Sequence, residues 1–354
     1  MIQTLDARQL TTECFAIGSE GHDAGGDGHG GPLIDPGEAL LGQMNEQGDV
    51  HAVAGGLHGA HVKILWQFLH VVLDWLRLVH AHKQATGRQE PRRGDLYNGK
   101  EDYEEPFGLL GAPAQHASAA ARHMHEFGTT SEQLAAIAVA CRKHAALNPA
   151  AQMRTPITIE DVLNSRWIVK PFHLLDCCLV SDGGGAVIVT SAERARDLLR
   201  RPVYVLGFGT GHRPDMLESP SLTTLGGARS SAQAYRMAGL EPRDMQFAEI
   251  YDCFTGIVLI TLEDYGFCAK GEGGPFVEDG RIELGGQLPV NTHGGLLSQA
   301  HVEGMLHITE AVKQLRGGEV EPERQVPDAR LGIVSGHGAN LSAHATLILS
   351  NEPG

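Results

Sequence analysis

Hydrophobic and polar positions become regular only after about residue 100 of the 354-residue chain. Overlapping capping-box patterns at 129–133 precede the apolar run 134–141 and predict a helix that ends near Leu147. A turn is predicted at 181–185. Short apolar runs then alternate with amphipathic stretches, which predicts strands at 186–189, 203–208, 247–251, 332–335 and 345–349, and helices at 191–199, 228–238, 256–265 and 301–315. This alternation indicates a layered α/β fold with covered sheets.

The first 98 residues have a different pattern. Gly and His are concentrated between residues 18 and 31, and eight of the 19 histidines precede residue 100. Only 60–78 has the apolar pattern of a buried helix, and no strand pattern is evident. We therefore expect an atypical N-terminal segment at 1–98, a middle segment at 99–200 and a C-terminal domain at 201–354.

Charge and composition exclude several classes of protein. The net charge of −15 argues against nucleic-acid binding, which needs basic surface stripes. No apolar run is long enough to span a membrane, and the N-terminus lacks the features of a signal peptide. The six cysteines show no C-x-x-C spacing, so reduced thiols in a cytoplasmic protein are expected. The histidine pairs have no acidic or cysteine partners nearby in sequence, so no metal site is expected.

The densest group of candidate functional residues lies at 291–304. Gly294 and Gly295 permit close approach of the backbone to a ligand, so they are predicted to bind substrate. His301 is predicted to open the helix 301–315. A helix N-terminus favours the neutral imidazole, which can act as a base near neutral pH. From spacing alone, a surface histidine at a helix start is the commoner interpretation.

Two further groups follow the predicted strands. Tyr251 and Asp252 lie at the carboxyl end of strand 247–251, where ligands bind in α/β sheets. The Tyr251 hydroxyl is expected to polarise a carbonyl or donate a proton; packing at a sheet edge is the alternative. Gly336, His337 and Gly338 are predicted to form a tight loop whose backbone N–H groups resemble an oxyanion hole. Taken alone, such a loop is an ordinary hairpin.

These motifs, in this order, resemble the C-terminal half of the thiolase superfamily, and in particular the sterol-carrier-protein and lipid-transfer-protein types. Residues 294–304 resemble the pattern G-G-x-x-x-x-G-H-P-x-G, with His301 at the histidine. Residues 251–254 occupy the N-E-A-F block, written H-D-C-F in sterol-carrier-protein thiolases. Residues 332–345 resemble the final strand–loop–strand, without its C-x-G cysteine. The segment 103–149 resembles the loop domain that covers the CoA tail.

The resemblance implies a layered α-β-α-β-α fold built from two related halves, with the N-terminal half here atypical or incomplete. It implies carbon–carbon bond formation or cleavage next to an acyl-CoA thioester, which is the substrate rather than a bound cofactor. A homodimer is expected. His301 would act as base, Tyr251 as proton donor or carbonyl polariser, and His337 as the third wall of the site. Asp252, Gly294, Gly295, Gly336 and Gly338 would contact substrate.

The chain departs from the family at the nucleophile. Cys14 is the only cysteine among the first hundred residues, and it lacks the Gly-rich setting of a thiolase nucleophile. The turn 55–59, with His58, lies roughly where that nucleophile is expected. A divergent N-terminal half and a truncated or frame-shifted one are both open interpretations.

Three functions therefore remain. The first is a thiolase-like acyltransferase. The second is a cysteine-independent retro-aldolase of β-hydroxyacyl-CoA, of the steroid side-chain type. Such relatives carry a tyrosine at the N-E-A-F block and pair with a small OB-fold/zinc-ribbon acyl-CoA-binding protein. The third is a non-catalytic thiolase-like subunit.

Overall fold

The computed structural model describes residues 108, 111–212, 221–338 and 341–354, together with the backbone of three earlier strands. Those strands are β1 (Ile2–Leu5), β2 (Val62–Lys63) and β3 (Trp75–Lys83). The middle of the chain forms α1 (Gly111–Phe127), α2 (Ser131–Ala146), α3 (Ile159–Asn164), β4 (Trp167–Val169), β5 (Phe172–His173), β6 (Asp182–Thr190) and α4 (Ala192–Arg196). The C-terminal part forms β7 (Tyr204–His212), α5 (Gly227–Ala238), β8 (Phe247–Glu249), α6 (Thr255–Asp264), α7 (Gly273–Phe276), α8 (Gly295–Ser298), α9 (Met305–Arg316), β9 (Leu331–Gly338) and β10 (Ala343–Ser350).

Two four-stranded sheets organise these elements. The first has the order β1-β6-β3-β2 and is antiparallel throughout. The second has the order β7-β10-β9-β8, and only its β8–β9 pair is parallel. Helix α9 contacts β6 of the first sheet and β9 of the second, so it lies between the two sheets. Its apolar side chains share one buried cluster with residues of both sheets, including Val187, Val334 and Leu349.

Helix α5 covers the opposite face of the second sheet. Gly207, Gly209 and Gly211 occupy alternate positions of β7, so all three face this helix. A Cβ atom at any of them would overlap a backbone carbonyl oxygen at Ala234, Ser230 or Gly226 respectively. The glycines therefore let the helix backbone rest directly on the strand.

Helix α2 forms as its sequence predicts. The Thr130 side chain accepts a hydrogen bond from the backbone N–H of Gln133, and the Gln133 side chain accepts one from the backbone N–H of Thr130. This capping box satisfies two backbone donors that the first turn leaves without intrahelical partners. Buried Leu134, Ile137 and Cys141 then lie on the side of α2 that faces the core.

The alternation of strands and helices is confirmed, but several predicted boundaries are wrong. Residues 182–185 lie in β6 rather than in a turn, because Gly183 and Gly185 allow close packing against Val302 and Met305. The predicted helix 191–199 is shorter, at Ala192–Arg196. The predicted helix 60–78 is wrong at both ends, where β2 and β3 form; its middle lies outside the described residues.

The first 98 residues do contribute strands, contrary to the expectation from sequence. Strand β3 pairs with β6 from Trp75–Thr190 to Lys83–Asp182, and β1 pairs with the other edge of β6. This pairing joins residues more than a hundred positions apart, and sequence periodicity carries no information about such contacts. Cys14 and His58 lie outside the residues that the structure describes. The proposed segment boundaries 1–98, 99–200 and 201–354 stay a prediction.

Candidate active site

Tyr251 and His301 meet between the two sheets. Tyr251 lies two residues beyond β8, where its backbone N–H donates to Ser335 Oγ at 2.9 Å. Its hydroxyl oxygen lies 3.4 Å from His301 Nε2. Both side chains are buried, and burial raises the pKa of Tyr251 well above its usual value. Tyr251 is therefore a neutral phenol that can donate its proton.

His301 does not open a helix. Helix α9 begins at Met305, and positive φ angles at Glu303 and Gly304 turn the chain just before it. The backbone N–H of His301 donates instead to Ser181 Oγ at 2.7 Å. The prediction that a helix N-terminus controls its protonation is wrong, because a turn separates His301 from the helix.

Asp252 supports the site from beneath. Its side chain is fully buried and accepts hydrogen bonds from the backbone N–H groups of Leu296 and Leu297, at 2.8 and 3.2 Å. His307 Nε2 donates to its Oδ1 at 3.0 Å. The His307 ring stacks on Tyr251, with ring centroids 6.2 Å apart. The contacts seen for Asp252 are thus internal ones that hold the turn before α8 and the ring behind Tyr251.

The paired glycines have the same internal role. Gly295 has φ +65°, and a Cβ atom there would overlap the Asp252 carboxylate. A Cβ atom at Gly294 would lie 2.6 Å from Cβ of Ala145 in α2. The close backbone approach predicted from the sequence is real, but in this structure it is to other parts of the chain. That Asp252, Gly294 and Gly295 contact substrate stays a prediction.

His337 enters the site from β9. The predicted loop at 336–338 is wrong, because Gly336, His337 and Gly338 pair in register with Ala345, His344 and Ala343 of β10. The backbone groups on this side of β9 are therefore used in the sheet rather than in an oxyanion-hole loop. The His337 ring lies 5.8 Å from the Tyr251 ring, so the three predicted catalytic side chains do come together. Their catalytic roles, and substrate contacts at Gly336 and Gly338, stay predictions.

His116 of α1 completes the cluster. Its Nε2 atom lies 3.1 Å from His337 Nε2, and its Nδ1 atom lies 2.6 Å from the Ala112 carbonyl oxygen. Burial lowers the pKa of His116 to about 4 and that of His337 well below its usual value. Both rings are therefore neutral at physiological pH. We refer to Tyr251, His301, His337 and His116 as the histidine–tyrosine cluster.

None of the cysteines in the described residues is activated as a nucleophile. Burial raises the pKa of Cys177, Cys178 and Cys268 to about 12. It raises the pKa of Cys141 and Cys253 further above the usual value. A catalytic thiol needs the opposite shift, since the thiolate is the nucleophile.

A metal could be held by one group in the described part of the chain. The ligand atoms of His116, His337 and Cys253 lie within 4.8 Å of one another. Two imidazoles and a thiolate form a donor set that suits zinc, with Zn–N and Zn–S bonds of about 2.0–2.3 Å. The absence of a metal site was expected from sequence, and this group makes that expectation a matter for experiment.

A second buried polar group, the Arg324 network, lies beside the cluster and consists of Arg324, Glu310, Gln314, Thr292 and Glu249. Arg324 bonds the Glu310 carboxylate, and Gln314 Nε2 donates to Glu310 at 2.9 Å. Thr292 Oγ lies 2.8 Å from Glu249 Oε1 and 2.7 Å from Glu310 Oε1. Burial, followed by the Glu310 charge, raises the pKa of Glu249 to about 8. Thr292 has one hydroxyl proton for two carboxyl groups, so a protonated Glu249 supplies the second.

Sequence reasoning missed His116, His307 and the Arg324 network. His307 follows His301 by six residues, and Asp252 follows Tyr251 directly, so both stood next to residues already singled out. A buried acid after an active-site tyrosine was a signal that it needed a partner. His116 gave no such signal, because its partner His337 is 221 residues away.

Two sheets with a buried helix between them, and a site at the ends of β8 and β9, define a thiolase-like α/β protein. A family model described as thiolase C-terminal domain-like matches residues 209–351. A solved structure titled "Ltp2-ChsH2(DUF35) aldolase" superimposes with a TM-score of 0.72 at 40% identity, covering 78% of this chain and 72% of that one. The chain belongs to the thiolase superfamily, on its sterol-carrier-protein thiolase-like branch.

Two curated relatives agree with this assignment. A 17-hydroxy-3-oxo-4-pregnene-20-carboxyl-CoA lyase of Mycobacterium tuberculosis is 48% identical, over 61% of this chain and 58% of its own length. Sterol carrier protein 2 of Oryctolagus cuniculus is 33% identical, over 68% of this chain and 46% of its own length. The chain thus covers about half the length of these relatives. Among the helices of the described segments, none is long and apolar enough to cross a membrane.

Proposed function

We propose that this chain is the thiolase-like subunit of an aldolase that cleaves a carbon–carbon bond in a β-hydroxyacyl-CoA. The main expectation from sequence, a thiolase-like acyltransferase, holds only at the level of the superfamily. The aldolase alternative has better support, because the relatives named above include an acyl-CoA lyase and a structure titled as an aldolase.

The observation that carries the proposal is the Tyr251–His301 contact of 3.4 Å in a site whose described thiols are all deactivated. Thiolysis needs a thiolate nucleophile. Retro-aldol cleavage needs a base for the hydroxyl group and a donor for the developing enolate oxygen. A neutral phenol beside neutral imidazoles supplies both of these and no nucleophile.

In the proposed reaction, an imidazole of the cluster removes the proton from the β-hydroxyl oxygen. The alkoxide electron pair forms the new carbonyl group as the Cα–Cβ bond breaks. The electrons of that bond pass into the thioester as an enolate, whose oxygen accepts a hydrogen bond from Tyr251. The proton then returns to the α-carbon, which yields a ketone or aldehyde and a shortened acyl-CoA. No electron acceptor or metal is required for this balance.

The substrate class follows from the similarity to a lyase of a steroid carboxyl-CoA. We propose a polycyclic β-hydroxyacyl-CoA whose ring carbon bears the hydroxyl group. The similar structure is titled as a two-component aldolase, which supports pairing with a small OB-fold/zinc-ribbon acyl-CoA-binding partner. A homodimer of this chain and a cytoplasmic location belong to the same proposal, and the mass of the purified assembly tests the first.

The test is product analysis with the full chain, alone and with the aldolase partner subunit. The substrates are a steroid β-hydroxyacyl-CoA and, separately, acetoacetyl-CoA plus CoA. We expect ketone release from the first and no thiolysis of the second. Tyr251→Phe should lower kcat/KM for ketone release by about 10² to 10⁴.

Tyr235→Phe is the matched control. The Tyr235 hydroxyl is buried on α5 without a hydrogen-bond partner, so its removal should leave activity unchanged. Thiolysis of acetoacetyl-CoA by the wild-type chain would contradict the aldolase proposal. Absence of both activities, with and without the partner, would leave a non-catalytic subunit.

A further inference from the structure

His116 and His337 face each other through equivalent nitrogen atoms. Their Nε2 atoms are 3.1 Å apart, which is a hydrogen-bond distance. Both rings are neutral, since burial holds both pKa values below the physiological range. A neutral imidazole has one N–H and one bare nitrogen, so one of these two Nε2 atoms donates and the other accepts.

The Ala112 carbonyl decides which atom donates. A carbonyl oxygen only accepts, and it lies 2.6 Å from His116 Nδ1, so this nitrogen carries the His116 proton. His116 Nε2 is then bare and accepts. His337 Nε2 must therefore carry the His337 proton and donate it to His116.

This assignment leaves His337 Nδ1 bare. That atom is buried and has no hydrogen-bond partner among the described residues. A buried acceptor without a partner is costly, and native structures fill such positions with a ligand or water. The ring borders Tyr251 at 5.8 Å, so the unpartnered lone pair lies in the site that the substrate would occupy.

We propose that His116 is a positioning residue that fixes His337 as the Nε2–H tautomer, so that His337 Nδ1 accepts the proton of the substrate's β-hydroxyl group. The proposal rests on the aldolase function for the identity of the hydroxyl group. The order of proton holders is Ala112 O, His116 and His337, and the substrate stands at the open end. His301 then keeps its place beside the Tyr251 hydroxyl.

The first test reads the tautomers directly and needs no activity. Long-range ¹H–¹⁵N correlation spectra of ¹⁵N-histidine-labelled chain distinguish protonated from bare ring nitrogens. We expect His337 protonated at Nε2 and His116 protonated at Nδ1. Spectra of His337→Asn and His116→Gln assign the signals. Leucine at position 116 should release His337 from the Nε2–H form, whereas glutamine should retain it, because its side-chain oxygen still accepts.

The second test measures turnover of the steroid β-hydroxyacyl-CoA. His116→Leu should lower kcat by about a hundredfold, the lower end of what a positioned base contributes, with KM within about twofold. His116→Gln should restore at least tenfold of the loss. His125→Gln is the matched control, because His125 is an exposed histidine on the same helix, and it should behave as wild type.

A His337 protonated at Nδ1 would overturn the proposal. A metal held between the two Nε2 atoms would produce that same state, so zinc uptake that moves the His337 proton to Nδ1 counts against it as well. Wild-type kcat in His116→Leu would also overturn the assigned role. If the tautomers are as expected but no aldolase activity is found, the aldolase function fails and the proton assignment stands.

Discussion

The histidine–tyrosine cluster and the Arg324 network are both buried polar groups, yet they are bonded very differently. In the Arg324 network, Thr292, Gln314 and Arg324 bond the Glu310 carboxylate, at distances of 2.7 and 2.9 Å for the first two. In the cluster, Tyr251 and His301 are 3.4 Å apart and His337 Nδ1 has no partner in the described chain. Polar groups that stabilise the fold are saturated by one another, and those available for chemistry keep an unused donor or acceptor.

The sharpest break of this comparison is His301→Asn. We expect kcat/KM for ketone release to fall by about 10² to 10³, with little change in the thermal midpoint. The reason is that Ser181 bonds the backbone of His301 rather than its ring, so the fold keeps its contacts. Steady-state kinetics and thermal unfolding on the same sample check both halves. A large loss of stability would show that this ring belongs with the structural group.

Arg324→Met should have the opposite profile. Removing the guanidinium leaves the Glu310 carboxylate buried and uncompensated, which typically costs about 3–5 kcal/mol. Denaturant unfolding measures this loss, and kcat per folded molecule should stay near the wild-type value. The double variant Arg324→Met with Glu310→Gln should recover part of the stability, because no charge is then left unpaired.

Glu249 should make stability depend on pH. Its folded-state pKa of about 8 lies above the ordinary value of 4.5, so between these values the folded state holds a proton that the unfolded state has released. Stability is then greatest below the ordinary value and falls as the pH rises towards 8, by up to about 1.4 kcal/mol per pH unit. Glu249→Gln should flatten this slope in denaturant unfolding measured from pH 5.5 to 8.

Thr130→Ala sets the scale for a polar group outside both regions. Loss of the capping bond to Gln133 should cost about 1 kcal/mol. Neither kcat nor the pH slope of stability should change, since α2 is only shortened at an exposed end. A change in either quantity would mean that the two regions are coupled through α2.

Local signals in the sequence predicted local structure well. The capping box and apolar run of α2 lie within one stretch of chain, and the helix forms there. By contrast, β3 was predicted as helix because an apolar run fits either element, and its pairing with β6 decides the outcome. Tyr251, His301 and His337 were found through their motifs. His116 could not be found, because its role depends on a contact across the fold.

The glycines of β7 have a consequence for how this domain can vary. Two residues of a strand advance by about 6.6 Å and four residues of a helix by about 6.0 Å. Gly207, Gly209 and Gly211 therefore keep step with Ala234, Ser230 and Gly226 over three successive contacts. One inserted residue in either element would put all three contacts out of step at once. Strand and helix thus form a matched pair that evolution, or a designer, must exchange together.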